Sequence, residues 1–144
     1  MDDELILVDP KTQASWFERV RAAHKDETAE DYVELIADLI EVNGEARIVD
    51  LAERFGVSHT TVNKVISRLQ KEGLVVTQPY RSLFLSEAGQ KIAQACKERH
   101  ILVVNFLKSL GVSEETAEMD AEGIEHHVSR ETLEAFQRFI NNST

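Results

Sequence analysis

Residues 46–73 constrain the fold of this chain more than any other stretch, because two short amphipathic segments meet there at a glycine. In ARIVDLAERFGV, Ile48, Leu51, Ala52 and Phe55 recur at helical spacing and share one face. Gly56 follows, a residue that enters left-handed backbone freely and so permits a sharp turn. Ser58 then offers a side-chain oxygen to the free amides of the next helix, SHTTVNKVISRLQKEG. Val62, Val65, Ile66 and Leu69 form its apolar stripe, and Gly73 stops it. Two short helices joined by a glycine turn make a helix-turn-helix.

The flanking segments extend this reading. Upstream, TAEDYVELIADLIE carries a stripe of Tyr32, Leu35, Ile36, Leu39 and Ile40 and ends at Asn43-Gly44. Downstream, Leu74–Thr77 and Leu83–Leu85 are short apolar runs on either side of a turn containing Pro79, which predicts a β-hairpin wing. Ser86 caps a long helix to about Leu110, Ser113 one to about His127, and Ser129 a last one to about Ile140. Residues 1–26 are strongly charged and contain Pro10. They read as an irregular extension with at most a short helix around Ala14–Ala23. The expected fold is mainly α with a small β-wing. A winged helix-turn-helix spans 27–88, and a linker helix with a further helical domain spans 89–144.

Charge is distributed in blocks. Residues 1–43 hold 12 acids and 4 bases, and residues 113–135 hold 8 acids and 1 base. Between them, residues 58–86 hold Lys64, Arg68, Lys71 and Arg81 against Glu72 alone. The formal net charge of −10 therefore hides a local basic segment, and local charge governs which partner is met. With its apolar stripe turned inward, the second helix of the pair presents His59, Thr60, Thr61, Asn63, Lys64, Ser67, Arg68 and Lys71. These hydroxyl, amide and basic groups can enter a major groove without repulsion. His59, Thr60, Thr61 and Lys64 lie where a recognition helix approaches base edges. Arg68, Lys71 and Arg81 suit phosphates. No apolar run is long enough to span a bilayer, and MDDELILVDP lacks the basic and apolar regions of a secretory leader. Cys96 is the sole cysteine and reads as a buried helix residue. A cytoplasmic location with no membrane partner is expected.

The acidic blocks contain a second pattern. In DAEGIEHH, Glu122, Glu125 and His126 stand at i, i+3 and i+4 and share a helical face. Asp31 and Glu34 share a face of the first helix, and His100 lies midway along the long one. Carboxylates can bridge two cations, and this hard set without sulfur suits Mn²⁺ while also accepting Fe²⁺, Co²⁺ or Zn²⁺. Sequence spacing does not say whether the three helices converge.

The ordered run EDYVELIADLIEVNGEARIVDLAERFGVSHTTVNKVISRLQKEGLVV, the wing, ERH and DAEGIEHHVS resembles the manganese transport regulators of the diphtheria toxin repressor family. The resemblance covers about residues 28–140. It implies a homodimer that binds double-stranded, palindromic operator DNA and represses manganese uptake genes when Mn(II) is bound. It implies that the helical domain of 89–144 serves metal binding and dimerisation, with a two-metal site per chain at the junction of the domains. Asp31 and His126 would serve one metal, Glu34 and His100 the other, and Glu122 and Glu125 both. Iron-sensing relatives have a sulfur ligand at the position of Glu125 and a methionine near that of Asp31, so the oxygen-rich set favours manganese. Three alternatives stand beside this reading. One is a winged-helix regulator of another metal or a non-metal signal. Another is a two-metal hydrolase, against which stands the lack of any separate nucleophile motif. The third is a protein-interaction module without DNA binding.

Overall fold

The computed structural model describes residues 5–77 and 82–143. The first helix, α1, spans Pro10–Asn43 without a break, which corrects the expectation of an irregular extension before residue 27. Asp9 accepts a hydrogen bond from the Thr12 amide at 3.1 Å, and Pro10 takes the first helical position, where its missing N–H is no loss. Neither proline nor glycine interrupts the chain again before Gly44, which ends the helix at φ 80°. The charges surrounding residues 11–30 obscured the helical period.

After α1 come β1 (Ala46–Arg47), α2 (Ile48–Phe55) and α3 (His59–Lys71). Gly56, at φ 66°, makes the turn between the two helices, and Ser58 caps α3 by accepting from the Thr61 amide at 3.1 Å. The wing consists of β2 (Val75–Thr77) and β3 (Ser82–Leu85), with Val76 opposite Phe84. The short strand β1, which the sequence reading absorbed into α2, pairs antiparallel with β3, giving the order β1-β3-β2. The expected turn around Pro79, with Arg81, lies outside the described residues.

One apolar cluster joins α1 to this unit, with Val33, Ile36, Leu51, Val62, Leu69 and Leu83 all nearly inaccessible. The long helix α4 (Glu87–Ser109) starts against the wing and continues away from it. Its far half forms a second cluster, in which Val103 and Val104 meet Ala117 and Ala121 of α5 (Glu114–Ile124). Helix α6 (Arg130–Asn141) adds Leu133 and Phe136, the latter stacked on Phe106 at 3.8 Å between ring centroids. Helix α1 also packs along α4, so its acidic face meets the segment that follows α5.

Candidate metal centre and nucleic-acid surface

Three elements bring the predicted carboxylates and imidazoles together. Tyr32, Val33, Ile36 and Leu39 bury one face of α1, which turns Asp31 and Glu34 toward α4 and α5. Helix α4 presents His100. Helix α5 stops at Ile124, earlier than expected, but Glu125 keeps right-handed helical backbone as its C-cap. The amide of His126 still reaches the Gly123 carbonyl at 3.4 Å, so the shared face of Glu122, Glu125 and His126 survives the end of the helix.

Glu125 lies at the middle, only 1% exposed. Its Oε2 is 2.7 Å from His100 Nδ1, and its Oε1 is 3.3 Å from His126 Nε2. Asp31 Oδ1 is 2.9 Å from the same His126 nitrogen, and Glu122 Oε1 is 3.8 Å from His100 Nδ1. Glu34 is half-buried and shares a cleft with Asp31, Asp38 and Glu122. Burial raises its pKa, and the neighbouring Glu122 carboxylate raises it further.

The hydrogen bonds around the cluster orient the rings. His126 Nδ1 lies 2.9 Å from Glu30, so in the neutral ring that a metal ligand requires, Nδ1–H donates to Glu30 and the Nε2 lone pair faces Asp31 and Glu125. Arg99 holds Glu30 in turn, and the Cys96 thiol donates to the same oxygen at 3.7 Å. On the other side, His100 Nε2–H donates to Glu118 at 2.7 Å and turns Nδ1 toward Glu125. A carboxylate behind a ligating imidazole is the usual device for fixing tautomer and orientation. Sequence reasoning missed Glu30, Arg99 and Glu118. The one available signal was that a ligating histidine needs an acceptor for its other nitrogen.

Two buried atoms at the centre, Glu125 Oε1 and His126 Nε2, have no hydrogen-bond partner of adequate geometry among the described residues. Buried polar atoms are almost always paired. Adjacent ligands of a six-coordinate ion with bonds of roughly 2.0–2.6 Å stand roughly 2.8–3.7 Å apart. The separations of 2.9 and 3.3 Å about His126 Nε2 fall in that range, so the donors fit a divalent cation. Electrostatics agree. Burial raises the Glu125 pKa, and Glu34 and Glu122 add to that against His100, to about 7. Burial opposes charge on His126, but the Asp31 and Glu30 carboxylates prevail and lift its pKa to about 10. Cys96 is pushed up to about 12, mainly by burial, and belongs to the supporting layer instead of the donor set.

Within the winged unit, α3 buries Val62, Ile66 and Leu69. His59, Thr60, Thr61, Asn63, Lys64, Ser67, Arg68 and Lys71 are all exposed. His59, Asn63 and Ser67 line an open groove of about 820 Å³ whose other wall includes Arg47 and Thr77. Thr61 is partly engaged, its hydroxyl 3.0 Å from Ser58 Oγ, and Arg68 Nε lies 3.6 Å from Glu72.

A winged helix-turn-helix, joined through a shared helix to a domain with a carboxylate–histidine cluster at the junction, is the layout of a metal-dependent transcription regulator. Residues 26–83 match the family described as "Iron dependent repressor, N-terminal DNA binding domain", and residues 86–144 match "Iron dependent repressor, metal binding and dimerisation domain". The chain belongs to the iron-dependent repressor family. It is 53% identical over 133 residues to the "Transcriptional regulator MntR" of Escherichia coli O157:H7, covering 92% of this chain and 86% of that one. It is 41% identical over 105 residues to the "HTH-type transcriptional regulator MntR" of Bacillus subtilis (strain 168), covering 73% and 74%. A solved "Manganese-dependent transcriptional repressor complex with manganese" superposes with a TM-score of 0.72 at 30% identity, covering 78% of this chain and 52% of that one. The chain thus spans about half the length of that solved relative. No helix among the described residues is long and apolar enough to cross a membrane.

Proposed function

We propose that this protein is a manganese-responsive repressor that binds operator DNA as a homodimer in the cytoplasm and controls manganese uptake genes. The observation that carries the reading is the position of Glu125, whose two oxygens face His126 and His100, where the candidate ligands among the described residues are carboxylates and imidazoles. Asp31 and His126 would hold one Mn(II), Glu34 and His100 a second, with Glu122 and Glu125 common to both. Bound cations would supply the positive charge that allows these carboxylates to stand together. The hard oxygen and imidazole set suits manganese, as do the names of the relatives just described.

The chain's own residues convert occupancy into DNA affinity through α1. The helix that carries Asp31 and Glu34 also supplies Val33 and Ile36 to the winged core. Fixing its acidic face against α4 and α5 therefore fixes α3 relative to the dimerisation domain, the winged unit of 27–88 relative to 89–144. In a dimer, two α3 helices roughly 34 Å apart would meet successive major grooves of a palindrome. Nothing in the cluster activates a nucleophile, and the family is one of repressors, so no enzymatic role is assigned. The test is binding to DNA from upstream of the protein's own gene, and of transporter genes near it, across a panel of divalent metals. Mn²⁺ is expected to support binding at lower concentration than Zn²⁺ or Fe²⁺ relative to each ion's own affinity. Equal DNA affinity in chelator and in Mn²⁺ would overturn the reading.

A further inference from the structure

The amino-terminal half of α1 lies outside the matched family region, and it reaches back to the segment after α5 through one group of side chains. His24 Nδ1 lies 3.2 Å from Glu27 Oε2, and His127 Nε2 lies 3.3 Å from that same oxygen. The two rings meet edge to face with centroids 4.9 Å apart. Their donor atoms and the carboxylate oxygen all lie within 4.8 Å of one another. From this geometry we propose that His24, Glu27 and His127 form a further metal site, separate from the paired carboxylate centre, that takes a Zn²⁺-like ion.

Both separations lie close to the spacing of ligands around one ion and exceed that of a charge-assisted hydrogen bond. Ligand atoms bonded to tetrahedral zinc at about 2.0–2.1 Å stand roughly 3.3–3.4 Å apart. Charge-assisted hydrogen bonds are shorter, about 2.7–2.9 Å. The pair His126 Nδ1 and Glu30, which lies outside the proposed donor set, does approach that closely, at 2.9 Å. The donor set also differs in kind. Two imidazoles and one carboxylate are borderline donors, for which zinc exceeds manganese in affinity. The site is open to solvent, with the His24 side chain 66% exposed and that of His127 29%, so water can complete the coordination. Glu27 also neighbours Asp31 and His126, which places the new site at the rim of the paired centre. An ion there would clamp residues 10–27 of α1 onto the turn that carries His126.

The experiment counts metal by mass spectrometry on the full chain loaded with Zn²⁺ or with Mn²⁺ and freed of excess. Wild type is compared with His24→Ala and His127→Gln. Wild type is expected to retain one more zinc per chain than either variant, with equal manganese counts in all three. Equal zinc counts, or a loss in only one of the two variants, would overturn the proposal. The difference of one zinc does not depend on the manganese reading. A failure of all three proteins to hold Mn²⁺ would count against that reading and leave the zinc difference to be judged alone. Unchanged Mn²⁺-dependent DNA binding in both variants would show that they are folded.

Discussion

A carboxylate as deeply buried as Glu125 is unfavourable in its charged form unless cations face it. His100 and His126 meet that demand in part, which leaves the roles of the surrounding acids open to test one side chain at a time. Glu122 is proposed to serve both metal positions, Glu34 only one. Glu122→Ala should therefore abolish Mn²⁺-activated DNA binding. Glu34→Ala should reduce stoichiometry from two ions to one and weaken activation, with calorimetry counting the sites. If both changes have small and equal effects, as exposed charges usually do, the cluster is a solvated acidic face. The same residues set a pH dependence. His126 holds its proton up to about pH 10 in the metal-free fold, whereas an unfolded histidine loses it near 6.5. An upward shift stabilises the metal-free fold fully below the unfolded value, and this contribution fades as pH rises toward 10. A ligating imidazole must be neutral, so Mn²⁺ affinity should rise across the same window with release of protons. Titration calorimetry in buffers of different ionisation enthalpy would measure the protons released, and a pH-independent affinity between 6.5 and 9 would contradict the assignment.

At the scale of elements, α4 joins the wing to the metal centre by a close approach at its first turn. A Cβ on Gly89 would press on the Leu74 backbone carbonyl, which has no rotamer with which to yield. Gly89→Ala should destabilise the protein by about 1–3 kcal/mol through overpacking, read as a lower midpoint in denaturant melts. A neutral effect would mean that the α4–wing junction is looser than described. On α3, Arg68→Ala should weaken operator and random DNA alike and reduce the salt slope. Lys64→Ala should cost operator binding roughly 1–3 kcal/mol more than random DNA if it meets a base. Equal losses in the two variants would remove the distinction. These elements were largely legible from sequence because their signals are local. Ser58, Ser86, Ser113 and Ser129 each cap a helix where the sequence placed one, and the stripe of Val62, Ile66 and Leu69 fixed which face of α3 stays outside. The first half of α1 was not legible. Its apolar residues Trp16, Phe17 and Val20 remain about half-exposed, so no buried stripe announced a helix there. Strand β1 was also hidden, since a pair of residues gains meaning only from its partner Ser82–Leu83.

For the whole molecule, the junction carries the proposed function, and it was the part that spacing could not supply. Asp31 and His126 are 95 positions apart in sequence, so only the packing of α1 along α4 brings them to 2.9 Å. The outer partners Glu30 and Glu118 were unreadable for the same reason. They differ from other surface acids only by standing behind an imidazole once the chain is folded. The central claim is that ions at this junction and DNA on α3 favour the same arrangement of the two domains. Coupling of that kind is reciprocal, so whatever factor Mn²⁺ adds to operator affinity must reappear when the ligands are exchanged. The most direct measurement is therefore Mn²⁺ affinity by titration calorimetry, with and without saturating operator, at fixed pH and salt. Operator DNA should tighten Mn²⁺ binding by at least about fivefold, the lower end of ordinary allosteric coupling, and by the factor seen in the reverse titration. An Mn²⁺ affinity indifferent to DNA would contradict the account.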